Sequence, residues 1–147
     1  MGSRYIANKV GAALSTTNDS MTITAASTRA LKIWEIRVYG QGTTSAANEI
    51  LVQRSSGGAT PVPLVPQPLS SGAAAAASTV ATSWTTQPGL TGTVPLRRIG
   101  VNSNGAYSPL VFMPGSEIEV PPSGQISLRS AVGTGSVTIE LIFEEVG

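Results

Sequence analysis

Two pairs of glutamates carry the chemistry most easily imagined for this chain of 147 residues. Glu117 and Glu119 stand two apart, and Glu140 and Glu144 four apart, in stretches that alternate apolar and polar residues, so each pair faces one side of a strand. Paired carboxylates of this kind serve glycoside hydrolysis, one as proton donor and the other as base or nucleophile. The solvated face of a half-buried sheet produces the same pattern, and that is the preferred reading. Arg97 and Arg98 offer guanidiniums to a phosphate or carboxylate. Neighbours on a strand point to opposite faces, however, so a surface or subunit salt bridge is expected of them. Trp34 and Trp84 could form a platform for a sugar ring, although a strand Trp flanked by Ile and Val usually packs in the core. Gly40-Gln41-Gly42 and Gly133-Thr134-Gly135 look like phosphate loops, yet neither opens a helix nor ends in Lys-Ser/Thr, and both read as turns. Asn18-Asp19-Ser20 is a glycosylation triplet in form only, since no secretion signal accompanies it.

The absences exclude more. The chain has no Cys and no His, which removes thiol nucleophiles, disulfides, zinc ribbons and imidazole-dependent triads. Asp19 is the only aspartate, so neither calcium loops nor paired-Asp metal sites can be built. A hydrolase built on the Glu pairs would need a strongly raised glutamate as its acid. The expectation is a protein that is not an enzyme and uses no cofactor, metal or small-molecule substrate. Nine basic residues against eight acids leave a net charge of +1, which gives no argument for a nucleic-acid or membrane partner. The charges are unevenly placed, since Arg129 is the only basic residue after Arg98 whereas five glutamates follow Arg98. No apolar run is long enough to span a bilayer, the N-terminus shows no secretion leader, and the missing cysteines fit synthesis in a reducing cytoplasm.

What must position these residues is a set of short strands. The length suits one core, and the chain is rich in small residues, with 17 Ala, 16 Gly, 18 Ser and 16 Thr, while only 12% of it is charged. Residues 1–28 read as a polar N-terminal arm ending in a strand at Met21-Thr22-Ile23-Thr24. The run from Leu31 to Tyr39 has strong β propensity, and its apolar residues change parity after Ile33, which predicts a bulge at Ile33 and Trp34. Strands are expected at Glu49–Arg54, Val80–Gln87, Val94–Ile99, Ser108–Met113 and the alternating stretches Ile118–Val120, Ile126–Leu128 and Val137–Phe143. Pro61, Pro63, Pro66 and Pro68 force an extended loop or a sheet edge. Ala73–Ala77 could make at most one short helical turn. Asn102-Ser103-Asn104-Gly105 is the strongest turn signal and should join two neighbouring strands. About eight strands with almost no helical periodicity predict an all-β antiparallel β-sandwich, and the long excursion from Ser55 to Val80 favours a jelly roll. The predicted division is an arm, residues 1–28, and a jelly-roll domain, residues 29–147.

A surface poor in Lys and rich in Ala, Ser, Thr and Gly suits burial against another chain. The contact residues expected are Arg4, Tyr5 and Lys9 of the arm, Pro61, Pro63 and Pro66 of the loop, and Arg97. Several stretches also carry a resemblance: Lys32-Ile33-Trp34-Glu35-Ile36 after a polar arm, Val52-Gln53-Arg54, Pro66-Gln67-Pro68-Leu69 through Ala77, Phe112-Met113-Pro114-Gly115-Ser116-Glu117, and Val137-Thr138-Ile139-Glu140. From Leu31 through Glu145 the chain resembles the jelly-roll head decoration, or cement, proteins of tailed bacteriophages. The resemblance implies a structural virion protein, made in the host cytoplasm, that binds the outer surface of an icosahedral capsid. Its partners would be the major capsid protein and two further copies of itself in a homotrimer, and no catalytic residues come with it. The alternative is a receptor- or carbohydrate-binding module of a tail fibre or spike on the same fold.

Overall fold

The computed structural model of the chain describes residues 2–105 and 107–147, and among them it is all β, with no helix. The strands are β1 (Ser3–Ala13), β2 (Asp19–Thr24), β3 (Ala30–Gly40), β4 (Ala47–Ser56), β5 (Ala59–Leu64), β6 (Gln67–Pro68), β7 (Thr79–Thr86), β8 (Gly89–Leu90), β9 (Arg97–Asn102), β10 (Tyr107–Val111), β11 (Ile118–Val120), β12 (Gln125–Ser130) and β13 (Ser136–Val146). One sheet runs β10-β3-β13-β1-β6, with β11 also on β3; the other runs β5-β7-β2-β12-β4-β8, with β9 also on β4. Every pairing is antiparallel. Leaving aside β5 to β8, and taking β10 and β11 as two parts of one strand along β3, β1-β13-β3-β10 faces β2-β12-β4-β9. That is the strand order of an eight-stranded jelly roll.

Alternation decides what lies between the sheets. Leu31, Ile33, Ile36, Val38, Leu141 and Phe143 of the first sheet meet Met21, Ile23, Ile50, Val52, Ile126 and Leu128 of the second, all fully buried. The predicted parity change in β3 is a bulge: Glu35 lies opposite Ile142 and Ile33 opposite Phe143, so Trp34 is the extra residue. The bulge keeps Ile33 and Ile36 in the core and turns Trp34 outward.

Of the predicted arm, the described residues 2–28 supply inner strands to both sheets. β1 is an inner strand of the first sheet between β13 and β6, and β2 is an inner strand of the second between β7 and β12. The sequence conceals β1 because its inward residues include the small Ala7 and Ala12, and a register shift between Lys9 and Ala12, where Gly11 has φ +66°, breaks the alternation.

The excursion closes one side of the sandwich. A Gly57-Gly58 turn with positive φ at both residues sends the chain from β4 into β5, whose prolines sit on a sheet edge as expected. The chain then crosses to the other sheet, where Gln67 and Pro68 of β6 pair with Ile6 and Tyr5. Residues 69–78 continue over the same side: Leu69 N–H donates to the Arg4 carbonyl, Tyr5 Oη to the Ala74 carbonyl (3.1 Å), and Ser78 N–H to Glu145 Oε1 (2.6 Å). The Ala run is irregular cover, without a helical turn. The Asn102–Gly105 turn does not join neighbours within one ladder; it carries the chain from β9 in one sheet to β10 in the other, as a jelly roll requires.

Candidate contact surface

The groups that could do chemistry are held mostly by one another. Glu140 and Glu144 share the outer face of the first sheet, about 13 Å apart along β13. Each carboxylate is engaged by its own set of partners. Glu144 accepts from Trp34 Nε1 at 2.9 Å and lies 3.8 Å from Arg4 Nε, while the Arg4 guanidinium covers the Trp34 ring at 4.5 Å. Glu140 lies 3.6 Å from Arg37 Nη1 and accepts from Tyr39 Oη at 3.4 Å. Arg37 Nε reaches Glu35 at 2.5 Å, and this bond holds the guanidinium above its ordinary value. Desolvation pushes the Tyr39 phenol up, and the Glu140 carboxylate adds to the rise. Glu117 lies outside β11 and accepts from Gly115 N–H, and Glu119 pairs with Lys32 at 3.5 Å.

Asp19 anchors a polar layer on the outer face of the second sheet. Its Oδ1 accepts from Arg129 Nε (2.8 Å) and Nη2 (2.6 Å), and its Oδ2 from Thr22 Oγ1 (2.6 Å) and Ser127 Oγ. The layer extends through Ser55 to Gln125, and Trp84 Nε1 donates to Thr22 Oγ1 at 3.0 Å. Both tryptophans are thus half-buried on outer faces with their indole N–H satisfied, neither core residues nor open platforms.

The expected contact residues divide. Arg4, Pro61, Pro63 and Arg97 are exposed, and Lys9 is half-buried. Tyr5 is 2% exposed and stacks on Phe143 with ring centroids 5.5 Å apart, so it belongs to the core. Pro66, in the crossing from β5 to β6, is also buried. Neither can be a contact on the surface of the folded chain. Arg98 pairs with Glu49 at 2.9 Å, whereas Arg97 lies over the Phe112 ring at 5.6 Å, so the two do part to separate partners.

The sequence did not single out the exposed apolar row of β10. Tyr107, Val111 and, just beyond the strand, Met113 are 52%, 64% and 76% exposed, with Pro109 exposed between them. Tyr107 stacks on Tyr39 at 4.7 Å. A second row, Val62, Val65 and Leu69, follows the excursion beside Pro61 and Pro63. Ser108–Met113 is nearly all apolar, so its outward face could be read only once β10 was known to be an edge strand. No family model, curated protein or solved structure matches this chain.

Proposed function

We propose that this chain is a structural protein that binds the outer surface of an icosahedral phage capsid and stabilises it, acting as a homotrimer. One observation carries the reading: among the described residues every acid but Glu117, and most cations, are consumed in structural pairs, while apolar rows on β10 and on the excursion stay exposed. Exposed apolar rows on a rigid domain suit contact with another protein. Symmetric copies would let weak contacts act together, since linkage raises the effective concentration of each further contact. The resemblance along residues 31–145 points the same way.

The test is the copy number of the protein relative to the major coat protein in purified particles from its source. Comparable numbers support decoration, and absence from particles overturns it. A small fraction would favour the second reading, a tail-fibre carbohydrate module. The exposed Tyr107 ring, stacked on Tyr39 beside Glu35, Arg37 and Glu140, is the observation that favours that reading.

A further inference from the structure

The two sides of the sandwich differ. The side bordered by β1 and β2 is sealed by the chain's own residues 64–78. On the opposite side, where β3 and β11 of one sheet approach β4 and the segment leading into β9 of the other, a cleft of about 380 Å³ remains. It is lined by Lys32, Arg54, Leu96, Arg97, Glu117 and Glu119, among others. Among the described residues Lys9, Arg54 and Arg97 are the cations with no carboxylate within 4.0 Å, and two of these three meet in this cleft. Arg54 Nη2 donates only to the Glu119 carbonyl (3.2 Å), and Arg97 Nη1 only to the Leu96 carbonyl (2.7 Å). Through Lys32, Arg54 and Glu119 the cleft continues into a second hollow of about 520 Å³ whose exposed apolar wall is formed by Pro121, Pro122 and Val146, over the buried Leu31 and Val120.

We infer that this continuous groove is the docking site for an extended acidic segment of a partner protein, whose carboxylate meets Arg54 and Arg97 and whose adjoining apolar side chain enters the hollow against Pro121, Pro122 and Val146. Charge complementarity selects this occupant. Two guanidiniums without acid partners attract a single carboxylate, and guanidinium matches carboxylate geometry well. Glu117 and Glu119 on the same walls repel a polyanion, which disfavours a nucleic-acid backbone. The apolar end suits a side chain and offers nothing to a free inorganic anion. The inference rests on the reading of the chain as a contact protein and supplies the chemistry of one contact.

The test uses the full chain, isotope-labelled, titrated with the blocked peptide acetyl-Val-Glu-Leu-Glu-Val-amide and followed by amide NMR shifts. Shifts should cluster at Lys32, Arg54, Arg97 and Val146, and the affinity should fall as salt rises. An Arg54→Gln/Arg97→Gln variant with an unchanged thermal melt should bind about tenfold or more weakly. Equal binding of the Gln-for-Glu peptide, shifts elsewhere, or tighter binding of phosphate or oligo-dT overturns the inference. Co-sedimentation with particles separates the two proposals: a chain that binds the peptide but not particles rejects the capsid reading alone. A variant that still sediments like the parent, paired with absence of peptide binding, rejects the groove alone.

Discussion

Asp19 carries more structure than any other single acid. Its carboxylate is almost wholly buried and accepts from Arg129 twice and from the Thr22 and Ser127 hydroxyls, joining β2 to β12 on the outer face of their sheet. Removing one partner of a buried ion pair leaves the other charge uncompensated. Asp19→Ala should therefore cost about 3–5 kcal/mol, read from the urea midpoint at constant slope. The adjacent Ser20 makes the contrast, because its buried Oγ has no hydrogen-bond partner among the described residues. Ser20→Ala should be neutral or stabilising by about 1 kcal/mol in the same assay. Destabilisation by Ser20→Ala as large as by Asp19→Ala would show that burial alone, not pairing, sets these costs. The sequence singled out Asp19 only as a lone aspartate and a glycosylation triplet. Its partners come from positions 22, 127 and 129, a juxtaposition that local pattern cannot contain.

At the scale of elements, the alternating strands were legible and the first strand was not. β12 and β13 repeat apolar residues on every second position, and both fall where the alternation puts them. The Trp34 bulge was legible as well, because a strand whose apolar residues change parity can keep both halves facing the core only by inserting an extra residue. β1 hides behind small inward residues and its own register shift, so its place beside β13 came only from the fold. A polar arm could be deleted without harm, but an inner strand cannot. A chain of residues 29–147 loses Tyr5, Ala7, Leu14, Met21 and Ile23 from the core. It should show no cooperative urea transition and should bind a hydrophobic dye, as a collapsed chain without fixed packing does. A cooperative transition with native-like slope would restore the arm.

At the scale of the molecule, prolines guard the sheet edges. Pro61 and Pro63 lie on β5 at one edge, Pro109 on β10 at another and Pro68 on β6 at a third. A free edge is a template for pairing with a second chain, and proline withholds the donor that such pairing needs. Replacing Pro61, Pro63 and Pro109 together with Thr should shift stability by only about 1 kcal/mol per site. Light scattering of the concentrated variant should nevertheless rise well above that of the parent, because the exposed row Tyr107, Val111 and Met113 would then lie on a pairing-competent edge. Unchanged scattering would remove this role from the prolines. The arrangement also bears on the proposed assembly, in which contacts run through side-chain rows and the groove, leaving the sheet edges unpaired.

The fold class could be read from local pattern alone. Period-two alternation, proline spacing and the lack of helical periodicity are local properties, and a half-buried sheet imposes them wherever its strands lie. The Pro-rich run was legible as an extended loop or a sheet edge, since proline's missing donor acts at its own position. That Tyr5 and Pro66 are interior, that the Ala run is irregular cover, and that Arg54 and Arg97 converge at one cleft became visible only in the folded chain. Those facts depend on residues far apart in the chain coming together as the two sheets close. Side-chain exposure and charge pairing are set by that closure, which no local spacing records.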